Sequence, residues 1–264
     1  TARDAMGSAG TQTASLAFGG DTPPATAKTE EYDGTSWAAV NDMTTARVKL
    51  GGLGTQTAAL AMGSQNPGYT AITELWDGTN WTEVNDMNEV KSAMGTAGIT
   101  TAGLVFGGLQ PPDNNTAITE SWNGTSWTEV NDLNEGVGNN SGAGTQTAAF
   151  MVYNTQHEQW DGTSWTEVAE LNTARTVLAS VGITTSVLSF GGENPGGSAR
   201  LANTESWNGS SWTEVADLGT AVYFHSGAGT SSLALSFTSD PRTGATTQTE
   251  EWTAPDVVIK TVTT

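Results

Sequence analysis

Cysteine is absent from the 264 residues, and basic residues are scarce: nine Lys and Arg stand against 28 Asp and Glu, a net charge of -19. Without Cys there is no disulfide framework, no Cys-ligated zinc or iron–sulfur centre and no thiol nucleophile. The charge has the wrong sign for a nucleic-acid binder, which needs clustered Lys and Arg to neutralise phosphates. No apolar run approaches the ~20 residues of a membrane-spanning helix, and no basic-then-apolar signal pattern opens the chain, so membrane insertion is not expected. What is present argues for a folded chain. Ten Trp and 36% hydrophobic residues suffice for a core and speak against disorder. The length would allow two average domains, but all-β folds often run this long as one.

Internal repetition then organises the sequence. The phrase Trp-Asp-Gly-Thr-Xaa-Trp-Thr-Glu-Val recurs with small changes. Its second Trp falls at Trp37, Trp81, Trp127, Trp165 and Trp212, in steps of 44, 46, 38 and 47 residues. The aromatic five residues earlier is Tyr32, Trp76, Trp122, Trp160 or Trp207, and Trp252 continues that series. Six units follow: 1–44, 45–88, 89–134, 135–172, 173–219 and 220–264. No linker composition separates them, so they form one domain.

Each unit reads as four short strands. The first is Gly-rich, as in Ala5-Met6-Gly7-Ser8-Ala9-Gly10, and the second is small and apolar, as in Ala14-Ser15-Leu16-Ala17-Phe18. Leu16 and Phe18 alternate with Ser15 and Ala17, the period of two expected of a strand. The third carries Thr73-Glu74-Leu75-Trp76 or its equivalent, and the fourth Trp81-Thr82-Glu83-Val84. Asp-Gly or Asn-Gly joins the last two, a strong hairpin signal. A turn at Asp77-Gly78 would set Trp76 diagonal to Trp81, whereas a turn at Gly78-Thr79 would set them directly opposite. Either register puts both rings on one face. Core aromatics are the bland reading of these Trp residues, and ligand platforms the sharp one.

Four strands per unit, repeated six times, suggest radial repetition. The Gly-Gly pairs after the second strand (Gly19-Gly20, Gly107-Gly108, Gly191-Gly192), the aromatic in the third strand and the Trp five residues on resemble the kelch repeat. That resemblance implies an all-β, six-bladed β-propeller of four-stranded antiparallel blades with the first strand of each unit innermost. Gly-Gly weakens to Gly63-Ser64 in unit two and is lost in units four and six; unit six also lacks the Asp-Gly turn and the second Trp. The chain starts at a first strand and ends at a fourth (residues 257–260), so no blade is expected to be shared between the termini. Glu83, Glu129, Glu167 and Glu214 would sit on outer edge strands, where charge discourages edge-to-edge aggregation.

Propeller geometry places the turns after strands one and three on one side and those after strands two and four on the other. The first side is nearly invariant. The second holds the length variation, and variable loops on a rigid scaffold are where binding residues tend to sit. Tyr69, Asp113, Asn114, Asn115, His157, Asn194 and Arg242 are its candidate ligand-binding residues; tolerated drift is the alternative. Cations recur at Arg3, Arg47, Lys91 and Arg175, replaced by Val137 and Val222 in the other two units. Asp42, Asp86 and Glu170 precede three of them by five residues, which suggests a charge staple between blades. A basic ring at the channel rim that captures an anionic group is the competing reading.

Catalytic constellations do not assemble. Galactose oxidase is similar in its kelch-type blades, but its copper site needs a Tyr linked to Cys, a second Tyr and two His, and here His157 and His225 fall in different units. The Asp-Gly-Trp motif of sialidases differs from Asp77-Gly78-Thr79-Asn80-Trp81 by the residue that the sialidase box places between Asp and Gly. Calcium loops of the Asp-Xaa-Asp-Xaa-Asp-Gly kind are missing, and no acid stands out from its repeat copies as half of a hydrolytic pair. No cofactor, metal or catalytic residue is therefore expected. The Thr-rich wording is similar to kelch-like proteins of marine bacteriophages and environmental sequences. That resemblance implies an extracellular or virion-surface binding role, with a host-surface glycan or protein, or other virion subunits, as partners. A carbohydrate-active enzyme and a pure assembly module are the alternatives.

Overall fold

A computed structural model describes residues 1–238 and 248–254. They form a six-bladed β-propeller, with no helix among the described residues. Five blades are four-stranded antiparallel sheets in sequence order; the sixth has three strands among the described residues, Ser226–Gly229, Leu233–Thr238 and Gln248–Thr253. Its expected fourth strand, 257–260, lies outside them. Blade two shows the plan: Gly51–Thr55 innermost, then Ala58–Ser64, Thr70–Trp76 and Trp81–Glu83 at the edge.

The aromatic hairpin takes the register in which the rings oppose each other. Trp76 pairs with Trp81, Trp122 with Trp127, Trp160 with Trp165 and Trp207 with Trp212. Asp77 brings this about, because its Oδ1 accepts from the backbone N–H of both Thr79 (2.8 Å) and Asn80 (2.7 Å) and leaves Gly78-Thr79 at the tip. The ring centroids of Trp76 and Trp81 are 5.4 Å apart, within the range of favourable aromatic pairs.

These rings belong to the core, which lies between blades rather than at the centre of a sheet. Leu16, Phe18, Ala59, Trp76 and Trp81 share the first interface; Ala17 and Tyr32, on the other side of blade one, meet Leu235 and Phe237 of blade six. Both faces of each second strand are therefore buried, although its sequence alternates. The Gly-rich inner strands follow from the same packing. A Cβ on Gly52 would lie 2.6 Å from the Ser8 carbonyl oxygen and 2.7 Å from the Phe18 ring. The Gly-Gly pair is a docking point: Gly19 and Gly20 have φ of +64° and +104°, and Gly20 N–H donates to the Arg47 carbonyl of the next blade at 2.8 Å.

Among the described residues, no sheet is shared between the first and last blades. Blade one takes all four strands from residues 7–40. Side chains join it to blade six: Gln12 Nε2 donates to the Trp252 carbonyl (2.8 Å), Trp37 Nε1 to Thr249 Oγ1 (3.1 Å) and Ser226 Oγ to the Met6 carbonyl (2.9 Å). Elsewhere the same Gln position clamps neighbouring blades, Gln56 onto Tyr32 and Gln146 onto Trp122.

Candidate functional site

The four repeated cations are not at the channel rim. Arg3, Arg47, Lys91 and Arg175 are buried, and none lines the central cavity. Each pairs with a Glu on the third strand of its own blade: Arg3 with Glu30 (2.6 Å), Arg47 with Glu74 (2.9 Å), Lys91 with Glu120 and Arg175 with Glu205 (both 3.2 Å). The acids five residues earlier do something else. Asp42 and Asp86 accept the backbone N–H of Thr29 and Thr73. The interblade staple runs through the glutamates, because the Oε2 of Glu74, Glu120 and Glu205 accepts the N–H of Thr44, Asn88 and Asn172 at the end of the preceding blade. The partners were missed because they lie 27–30 residues from their cations. One signal was available: Glu recurs at this third-strand position in every unit, as Glu30, Glu74, Glu120, Glu158, Glu205 and Glu250.

His157 is also displaced from the variable loops. Shortening in unit four brings the third strand forward to Gln156–Trp160, and His157 is buried against Trp207 and Trp212. Burial pushes its imidazole down to about 4, so it is neutral at pH 7. Asn194 closes its own loop, its Oδ1 accepting the N–H of Ser198 (3.0 Å) and Ala199 (2.7 Å). Asn114 and Asn115 are exposed in a two-residue strand paired with Leu109–Gln110. Arg242 lies outside the described residues.

Tyr69 and Asp113, from adjacent blades, do come together. The Tyr69 hydroxyl donates to Asp113 Oδ1, and Gln65 Nε2 donates to the same oxygen at 2.5 Å. Burial and the Asp113 carboxylate push the Tyr69 phenol up to about 12. This polar cluster sits on the variable face beside the channel mouth, near enough for Asp113 to favour the charged form of Lys49.

The mouth itself is built from backbone. Ala5, Lys49, Ala93, Asn139, Val177 and Phe224 hold the equivalent position in the six blades, all with φ between +49° and +57°. Their peptides bond around the ring: Lys49 N–H to the Ala5 carbonyl (2.8 Å), Ala93 to Lys49 (2.8 Å), Asn139 to Ala93 (2.9 Å), Val177 to Asn139 (3.3 Å) and Ala5 to Phe224 (3.1 Å). Five of the six links are made, the one from Phe224 N–H to the Val177 carbonyl being absent; non-Gly residues there cost roughly 1 kcal/mol or more each, and the linked ring holds them in place. Below it lies a central cavity of about 320 Å³ walled by the six inner strands. Among the described residues its wall carries no Asp or Glu; Lys49 and His225 are its titratable side chains. His225 is packed against Phe190, and burial pushes its imidazole down to about 4. Lys49 and Phe224 escaped sequence reasoning because the ring exists only once all six blades are in place. The one clue was a Lys at a position that elsewhere holds Ala, Asn, Val or Phe.

Among the described residues, no group of three or more His, Asp and Glu side chains is placed to hold a metal ion. The fold and the asymmetry of its faces define a β-propeller with one uniform and one divergent loop surface. No protein-family model matches the chain, and no curated protein matches it.

Proposed function

We propose that this chain is a non-enzymatic binding propeller of the kelch type, acting outside a cell or on a virion and recognising a host-surface glycan or protein through its variable face. The observation that carries this reading is the contrast between the two ends. On the uniform side, polar groups are spent within the fold, as Asp77 is on its own turn. On the variable side, half-buried Gln65 and Tyr69 reach across a blade boundary to exposed Asp113, near the channel mouth. Rigid loops that carry convergent polar groups next to a concavity are the usual form of a recognition site. The likeness of the Thr-rich repeat to kelch-like bacteriophage proteins supports the virion setting.

A glycan and cell-surface array tests the reading. The chain should bind at least one surface polymer, and Tyr69→Ala and Asp113→Ala should each weaken that binding about tenfold or more without changing the fold; a blank array, or binding indifferent to both substitutions, rejects it. A second reading, an assembly module, draws on Ile99, Ile183 and Leu233. They are 52%, 55% and 47% exposed at the first-to-second-strand turns of the opposite face. Stable self-association, abolished by Ile99→Thr with Ile183→Thr, would favour it.

A further inference from the structure

Two groups of cations are treated differently. Arg3, Arg47, Lys91 and Arg175 are sealed against glutamates inside the blades. Lys49 belongs to the left-handed ring at the channel mouth and makes no ion pair among the described residues. Its Nζ lies 5.3 Å from the ring centroid of Phe224, two blades away around the circle. It is half-buried, and burial lowers its basicity while Asp113 and Asp4 act against that shift from a distance.

The surroundings are unlike the rest of the molecule. A chain of net charge -19 presents no acid on the described wall of this cavity. A carboxylate entering there would meet an ammonium already stripped of part of its water, where an ion pair is stronger than on an open surface. Phe224 supplies an apolar plane beside that ammonium. Asn139 shares the same mouth, but its side-chain oxygen is buried and turned away from the cavity's solvent. At about 320 Å³ the cavity is at the small end of the roughly 300–1,000 Å³ of ligand pockets, suited to one ring rather than a chain of them.

We infer that the channel mouth is a subsite for an acidic sugar, a uronic or sialic acid residue of a surface polysaccharide. Its carboxylate pairs with Lys49 and its apolar ring face rests on Phe224. The inference rests on the glycan-binding form of the proposed function and names the class of sugar. An acidic peptide would supply the carboxylate but no pyranose face for Phe224, so it serves as a control.

The test is calorimetric titration with a sialylated oligosaccharide, a galacturonate oligomer, their neutral counterparts and an oligoglutamate peptide. The intact protein and its Lys49→Gln, Lys49→Arg and Phe224→Leu variants are compared. At least one acidic sugar should bind about tenfold or more tighter than its neutral counterpart. Lys49→Gln should erase that preference, Lys49→Arg should retain it, and Phe224→Leu should weaken sugar binding. Equal binding of acidic and neutral sugars, retention of the preference in Lys49→Gln, or binding of the peptide alone would overturn the inference. Neutral glycans held through Tyr69 and Asp113 with no dependence on Lys49 would overturn it while leaving the proposed function standing. Absence of binding by every glycan would overturn both.

Discussion

Blades two and four are copies of one unit, yet they satisfy a buried carboxylate differently. In blade two, Glu74 is fully buried against Arg47 and also accepts the Thr44 N–H. In blade four, Val137 stands where the Arg would be, and Glu158 remains buried with Asn134 supplying its N–H (3.1 Å) and its Nδ2 (2.7 Å). Burial pushes the Glu158 carboxyl up, with Glu167 and Glu135 acting in the same direction. Blade four also carries His157 where blades one and three place Thr29 and Thr119. Those hydroxyls accept Trp81 Nε1 and Trp165 Nε1 of the next blades, whereas Trp212 Nε1 turns to the Ala169 carbonyl. The staple between blades is thus the essential role of the glutamate. The cation is one of two ways to make its burial tolerable.

Removing the cation from blade two should be the most damaging way to break this comparison. Arg47→Met leaves Glu74 buried without its charge partner and should cost about 3–5 kcal/mol in urea denaturation, as for other broken buried pairs. A loss below about 1 kcal/mol would mean that the Thr44 contact alone suffices. Adding a cation to blade four need not yield the reverse gain, because Val137 belongs to its apolar interface.

Titration should separate the blades next. His157 and His225 have folded values near 4 against 6.5 when unfolded. The unfolded chain therefore takes up their protons first. Their contribution is intact above pH 6.5 and is lost as pH falls toward 4, by up to about 1.4 kcal/mol per pH unit for each histidine. His157→Thr should remove one such proton from the acid-side slope, and His225→Leu the other. Glu158 has the opposite sign. Its raised folded value makes stability fall as pH rises above the ordinary 4.5, and Glu158→Gln should abolish that loss. Unfolding curves from pH 4 to pH 7 that superimpose for parent and variants would reject both assignments.

The smallest effect concerns the clamp. Blades one, two and four use Gln12, Gln56 and Gln146 to hold the preceding blade, while blades three and five have Thr100 and Thr184 there. Gln56→Thr should cost about 1 kcal/mol, the net worth of a hydrogen bond or two, read as a lower thermal midpoint. No change would show that the blades without the clamp lose nothing by its absence.

Much of the architecture was legible because repetition amplifies weak signals. A single Trp-Asp-Gly phrase specifies a hairpin; five copies at nearly constant spacing specify a ring of blades. The site was less legible, for two physical reasons. The acids adjacent in sequence are not the ion-pair partners, because Arg47 finds Glu74 by crossing two strands within the blade. The shortened unit four places His157 in a loop by sequence alone, but the deletion is absorbed by starting the third strand earlier, at Gln156. Tyr69 and Asp113 were identified separately, and only neighbouring blades made them partners.

The number of blades, the strand order within them and the division into uniform and divergent faces are all written in the sequence. These depend on local turn chemistry and on apolar periodicity, which each unit carries in full. Only the assembled blades settle which of the described cations are silenced and that Lys49 faces the cavity. Those outcomes depend on distances between residues of different strands and blades, on water removed by packing, and on a left-handed ring that no single unit can form. Scarcity of basic residues thus acquires a location: among the described residues, four of the cations are spent inside the blades and Lys49 stands at the mouth, while Lys28 and Arg200 lie elsewhere.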